Sequence, residues 1–194
     1  MTVVYTVLFL VVLALAVRAG HPVRALGFTA LGAATWTLVE YLSHRFLFHV
    51  AFPRGKGPVR GLLHQLFDAS HVDHHAHPWD GYHINGHLDT LFVAVVAVPL
   101  SFLGPAGSTE VAVAALFACY VGEEWAHHGM HFWNLRWRYF RYLRARHLYH
   151  HSRHGAGTAY GITSDVWDKV FGTRIPASQR QQLLPRPVVR VARA

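Results

Sequence analysis

Cysteine is almost absent from this chain: Cys119 is the only one in 194 residues, and it sits within an apolar run. A disulfide framework and a thiolate metal site are both excluded. Charge is scarce as well. Charged residues make up 14% of the sequence and hydrophobic residues 52%, a balance unusual for a soluble domain of this length that brings membrane proteins forward. Acidic residues number 10 against 18 basic ones, for a formal charge of +8. That excess would suit nucleic acid, but the arginines form no stripe interleaved with stacking aromatics on a polar domain. They lie beside apolar segments, which favours an anionic membrane surface and argues against a nucleic-acid partner.

Long apolar runs are what the chain has in their place. Val3 to Val17 is almost unbroken Val, Leu, Ala and Phe, without a clear signal-peptide cleavage site after it. The linker "RAGHPVR" leads to a second run, Ala25 to Leu42. Leu91 to Leu103 and Val111 to Gly122 are a third and fourth, separated by the turn-forming "GPAGSTE". The last two are short against the roughly 20 residues needed to span a bilayer, so they must borrow flanking residues or form a partly submerged hairpin. The expectation is one all-α, multi-pass membrane domain over residues 1–176 with about four transmembrane helices. A basic, proline-broken, loosely ordered tail follows over 177–194.

Arg45, Arg54, Lys56 and Arg60 follow the second run and twelve more basic residues follow Gly122, while "GPAGSTE" has none. Both polar regions are therefore expected on the cytosolic side. Sixteen of the 18 basic residues are arginine and Ala and Val are abundant, which points to a GC-rich bacterial genome and hence to the plasma membrane.

Nearly all of the seventeen histidines lie in those two polar regions, and their spacing is informative. "HVDHH" and "HLYHH" place His71, His74 and His75, then His147, His150 and His151, at positions i, i+3 and i+4, on one face of a helix. "EEWAHHGMH" offers His127 and His131 four apart. "HRFLFH" departs from the pattern: His44 and His49 are five apart, about 140° around an ideal helix. They reach a common site only if the helix ends there or the metals sit between them. Imidazoles packed this densely would repel one another if protonated, and the clustering is explained if neutral rings donate lone pairs to cations. Ten are too many for one ion and suit two. The residue type alone leaves iron, copper and zinc open, and the paired Glu-x-x-His motifs of soluble di-iron bundles are lacking. His21, His64, His77 and His154 read as ordinary surface or core histidines. His83, His87 and His128 flank the clusters and join Glu40, Asp73, Asp80, Glu123 and Glu124 as candidates for orienting a ligating ring through its far nitrogen.

These four motifs, followed by "YGITSDVWDKVFGT", resemble in kind and order the histidine boxes and closing segment of the fatty acid hydroxylase and sterol desaturase superfamily, over roughly Glu40 to Thr173. The form "EYLSHRFLFH" is most similar to the fatty acid 2-hydroxylase branch. The resemblance implies an integral membrane di-iron oxygenase with a cytosolic histidine-rich helical cap over four membrane helices. It maps metal ligation onto His44, His49, His71, His74, His75, His127, His131, His147, His150 and His151. Two departures are visible: the stretch between "HRFLFH" and "HVDHH" is short and glycine-rich, and no cytochrome b5 segment accompanies the boxes. Electrons are therefore expected from a separate donor of ferredoxin or cytochrome b5 type with its reductase.

The expected cofactors are two iron ions, which zinc is expected to replace in recombinant protein, with O2 as co-substrate and a membrane lipid as substrate. A sterol or carotenoid hydroxylase or desaturase would use the same di-metal site. A non-catalytic haem or metal carrier would need histidines near mid-bilayer or polar groups through its spans, and these spans are nearly free of both. The charge asymmetry makes a prediction about sidedness. A cysteine at Ser108→Cys should label from outside the cell, whereas one at Ser178→Cys should be protected until the membrane is opened; the reverse pattern would put the histidine boxes on the wrong face for a cytosolic reductant.

Overall fold

The computed structural model describes residues 2–49, 57–80 and 108–183. Among these residues every regular element is helical. The expected third run, Leu91 to Leu103, and the tail beyond residue 183 lie outside them.

Helix α1 spans Thr2–Arg18, the whole first apolar run. It stops at Gly20, whose φ of 84° supplies the left-handed turn that closes a helix C-terminus, with its amide on the Val17 carbonyl at 3.1 Å. Helix α2, Pro22–Ser43, starts at a proline in its first turn, where the missing N–H costs nothing. It does not end with the second apolar run but continues as a π-helical turn over His44–Phe48. Helix α3, Pro58–Leu63, likewise passes into a π turn, His64–Asp68, and then into helix α4, Ala69–Ala76.

The fourth run is longer than its apolar stretch. Helix α5 covers Thr109–Phe132, so the run and the "EEWAHHGMH" motif form one rod. Extended backbone leads to helix α6, Arg138–His150, and two short helices follow, α7 (Val166–Val170) and α8 (Ala177–Leu183). The expected loose tail thus begins as a helix, because Leu183 packs against Tyr149, Ala159 and Ile175.

Helix α5 is the central element. Tyr5 of α1 stacks on its Phe117 at 5.1 Å, and Trp36 of α2 meets its Tyr120 edge-on at 5.3 Å. At the opposite end of the trio Ala16, Ala25 and Val111 close together. Small residues set the spacing between α2 and α5: a Cβ on Gly32 would stand 2.1 Å from the Ala112 carbonyl oxygen. Beyond the trio, Met130 at the end of α5 is fully buried with Phe140 and Leu143 of α6 and with Ile162. This cluster fastens the histidine-bearing end of α5 to the first half of α6. No helix among the described residues is long and apolar enough to cross a membrane.

The α2–α5 approach is testable. Gly32→Ala should lower the thermal unfolding midpoint, since forcing a methyl against backbone costs about 1–3 kcal/mol. Gly27→Ala, where a Cβ meets nothing within 4 Å, should leave the midpoint unchanged.

Candidate metal centre

The four histidine motifs converge, and they do so in two groups. His44, His49, His71, His75 and His150 form the first; His74, His127, His131, His147 and His151 form the second. Within each group the possible ligand atoms lie within 4.8 Å of one another, and each group could hold a metal ion. Two donors on opposite sides of an ion at ~2.1 Å would stand about 4.2 Å apart, so the spread suits one ion per group. The groups adjoin: the rings of His75 and His151 stack with centroids 4.1 Å apart.

Helix periodicity divides the motifs between the two groups. In α4, His71 and His75, one turn apart, belong to the first group, and His74 to the second. In α6 and its cap the allocation is reversed: His147 and His151 belong to the second group and His150 to the first. Helix α5 adds His127 and His131 to the second group. The awkward pair of the sequence, His44 and His49, is reconciled by the π turn. An i to i+5 hydrogen-bonding pattern widens the helix, so residues five apart come to one side, and the two Nε2 atoms stand 3.2 Å apart.

The ring nitrogens show what the arrangement is suited to hold. His44 Nδ1 lies 2.5 Å from the Tyr160 carbonyl oxygen and His150 Nδ1 lies 2.7 Å from that of Thr158. A carbonyl only accepts, so both rings carry their proton on Nδ1 and present a bare lone pair at Nε2. Those two Nε2 atoms lie 3.2 and 2.9 Å from His49 Nε2, which is also 3.0 Å from His71 Nε2. One proton on His49 can satisfy only one of these neighbours. In the neutral state lone pairs therefore face lone pairs, an arrangement that a cation between them would relieve. In the second group His131 Nε2 and His147 Nε2 are 2.7 Å apart, His147 Nε2 and His151 Nε2 are 3.0 Å apart, and His74 Nε2 and His127 Nε2 are 2.9 Å apart. His75 Nε2 and His151 Nδ1 are buried without a hydrogen-bond partner among the described residues. The donor set fits borderline divalent metals.

Burial, reinforced by the neighbouring rings, holds the imidazoles neutral. It pushes His44, His71 and His147 well below the usual histidine range, His49 down to about 4 and His75 down to about 2. His150 is lowered by burial as well, against the opposing pull of the Thr158 carbonyl.

Other sequence candidates sit elsewhere. Glu40 is buried, but it holds no imidazole. Its Oε1 accepts from the amides of Ile162 (2.6 Å) and Thr163 (3.0 Å), and its Oε2 accepts from the Thr163 hydroxyl. Loop amides one step behind the histidines have claimed the carboxylate. Asp73 faces outward on α4 and pairs with the exposed His77 at 3.2 Å, because two residues on from His71 it falls on the side of the helix opposite the three histidines. Asp80 is exposed. His128 is in neither group and packs among Trp125, Phe132 and Trp133. Glu124 lines a small cleft with His74, His127, His128 and His131 beside the second group, and Glu123 is buried on α5. His83 and His87 lie outside the described residues. Of the histidines read as ordinary, His64 pairs with Asp68 at 2.7 Å, and His21 and His154 are exposed.

Residues in the closing segment carry a role that spacing did not reveal. Asp168 is almost completely buried and accepts from the amides of Tyr160 (2.9 Å) and Gly161 (3.0 Å), the Thr173 hydroxyl (2.7 Å) and the Arg146 guanidinium (2.5 Å). The one signal was an aspartate in the largely apolar "VWDKVF", together with an arginine one helical turn before His150.

Comparison with known proteins follows the same residues. A sequence model described as Fatty acid hydroxylase matches residues 29–173. The chain is 38% identical over 149 residues to the dihydroceramide fatty acyl 2-hydroxylase FAH2 of Arabidopsis thaliana, covering 74% of this chain and 59% of that protein. It is 32% identical over 166 residues to the ceramide very long chain fatty acid hydroxylase scs7 of Schizosaccharomyces pombe, covering 81% and 45%. A solved structure of full-length scs7p, in which only the hydroxylase domain is visible, superposes with a TM-score of 0.79 at 27% identity, over 90% of this chain and 65% of that one. The chain spans about half the length of the curated relatives it matches.

The neutral histidines predict an acid-sensitive fold. Below the ordinary value near 6.5 an unfolded histidine takes up a proton, while one whose folded value is depressed does not. Stability should thus fall as the pH drops from 6.5, and for His49 the loss should be complete at about pH 4. Thermal unfolding of metal-stripped protein should show a midpoint that declines over this window, with a shallower decline in His49→Gln.

Proposed function

We propose that this chain, which belongs to the fatty acid hydroxylase family, adds one hydroxyl group to the acyl chain of a membrane lipid, using a pair of iron ions, O2 and an external electron donor. The observation that supports this most directly is the pair of adjoining five-imidazole groups built from the four motifs. The names of the relatives, fatty acid 2-hydroxylases acting on fatty acyl chains or ceramides, direct the reading to carbon 2 of an acyl chain.

In this reading the ten histidines are the metal ligands, five to an ion. Five nitrogens nearly fill an octahedral sphere and leave about one position on each ion for oxygen. When bound, iron supplies the change of oxidation state that oxygen activation requires and that zinc lacks. The balance is one C–H bond and one O2 converted, with two electrons and two protons, to one C–OH and one water. The electrons come from a separate protein.

The chain's own contribution is placement. Helices α2 and α5 deliver His44, His49, His127 and His131 at the ends of their apolar runs, so the centre lies where lipid-facing helix gives way to polar cap. The outer faces of α1 and α2 are apolar: Val3 is 74% exposed and Val23 82%, alongside Leu8, Leu10, Leu15 and Leu26. Such a surface suits acyl chains better than water and supports a membrane setting for these helices; the cytosolic side of the metal centre rests on the charge asymmetry of the sequence. An acyl chain reaches the centre from the lipid side and a soluble reductant from the aqueous side.

The test is isotopic. Iron-loaded protein with a reductant and a ceramide or long-chain fatty acyl substrate should give a product heavier by one oxygen, labelled from 18-O2 and unlabelled from heavy water. Label from water, or no oxygen consumption by an iron-loaded and reducible sample, would exclude the reading. His74→Ala and His150→Ala should each abolish product, while His21→Ala should leave it unchanged.

A further inference from the structure

The first group of histidines is braced by a loop that lies outside the four histidine motifs and runs into the closing segment, residues 158–163 between α6 and α7. Its carbonyls at Thr158 and Tyr160 accept from His150 Nδ1 and His44 Nδ1. The Tyr160 ring lies against His44, His49 and His150, with centroids 5.7, 5.3 and 5.4 Å away. All three belong to the first group.

Two buried carboxylates hold this loop. Asp168 takes the amides of Tyr160 and Gly161, and Glu40, from the end of α2, takes those of Ile162 and Thr163. Four consecutive backbone N–H groups are thus tied to two side chains. The fit leaves no slack at Gly161, where a Cβ would stand 2.0 Å from the Ser164 carbonyl oxygen and 3.1 Å from Asp168 Oδ2. Ala159 is kept in left-handed backbone at φ 58°, a conformation unfavourable for a residue with a Cβ. Its amide is bound to the Thr173 carbonyl at 2.8 Å and its side chain is buried, so the surrounding structure enforces the strain.

We infer that Asp168 and Glu40 are positioning residues for one metal site only: by anchoring residues 160–163 they fix the tautomers and ring planes of His44 and His150, so that the first site is preorganised independently of the second. The inference rests on the metal-binding part of the proposed function. A ring held through Nδ1 by a fixed carbonyl keeps its Nε2 lone pair aimed at the ion. Losing such support typically weakens metal binding by about 10–100-fold.

The experiment is a competition titration of metal-stripped, detergent-purified full chain with zinc against a chromophoric chelator. The parent protein should take up two zinc equivalents. Asp168→Asn puts an amide N–H₂ where Asp168 now accepts from backbone amides and from Arg146, and it should weaken one equivalent by about 10–100-fold while leaving the other unchanged. Glu40→Gln keeps an acceptor for both loop amides and should stay near the parent, whereas Glu40→Ala should weaken the same single equivalent. Thr163→Val removes only the hydroxyl on Glu40 and should give a smaller shift on that equivalent. It decides the matter should Asp168→Asn fail to fold. Equal weakening of both equivalents, or of neither, in the variants that fold would overturn the inference. A parent chain that binds no zinc would instead sink the metal reading itself, so the two failures are distinguishable.

Discussion

Crowded imidazole lone pairs are the constraint on which the rest of this structure depends. Ring nitrogens 2.7–3.2 Å apart, in a cluster whose burial favours neutral rings, cannot all be satisfied by one another's protons, and a cation among them relieves the crowding. Four helical segments and a long-range loop converge at this point. With a cation in each of the proposed sites, the repulsion would become coordination, and metal binding would add to the stability of the cap.

Helix geometry and the packing of neighbouring helices together divide the histidines between the two groups. A triplet spaced i, i+3, i+4 has two members in one row along the helix and one beside it, so it can serve two adjacent sites. Two such triplets used in opposite senses, from α4 and from α6, cross-link the groups: α4 gives two rings to the first and one to the second, and α6 with its cap gives the converse. The π turns belong to the same design. An extra residue per turn costs hydrogen-bond geometry, and at His44–Phe48 it brings two histidines five residues apart to one side.

The supporting carboxylates lie one step behind the rings. Histidines in metal sites are usually steadied by a carboxylate or a backbone carbonyl at the far nitrogen. Here carbonyls fill that place for His44 and His150, and the carboxylates of Glu40 and Asp168 hold the carbonyls' own chain. The arrangement keeps negative charge away from direct contact with those two rings while still locking their orientation. It also ties the end of α2 to the segment before α7, across 122 residues of sequence.

The sequence alone determined the helical class, the extent of α1, the family resemblance and the ten histidines that gather, because helix periodicity and residue chemistry are local properties. Spacings of three and four put rings on one face wherever the chain is helical. It could not allot His74 to one group and His71 and His75 to the other, since that depends on which helices pack on either side of α4. The five-residue spacing of His44 and His49 looked like a break in the pattern until the π turn was seen. Glu40 was legible as a candidate acid near the site, but its partner was not. A carboxylate accepts from any donor that packing brings near, and only the tertiary fold decided that these donors were the amides of Ile162 and Thr163 and not an imidazole. Asp168 and the carbonyls of Thr158 and Tyr160 went unread for the same reason: backbone groups are identical at every position, and three-dimensional proximity alone gives one of them a function.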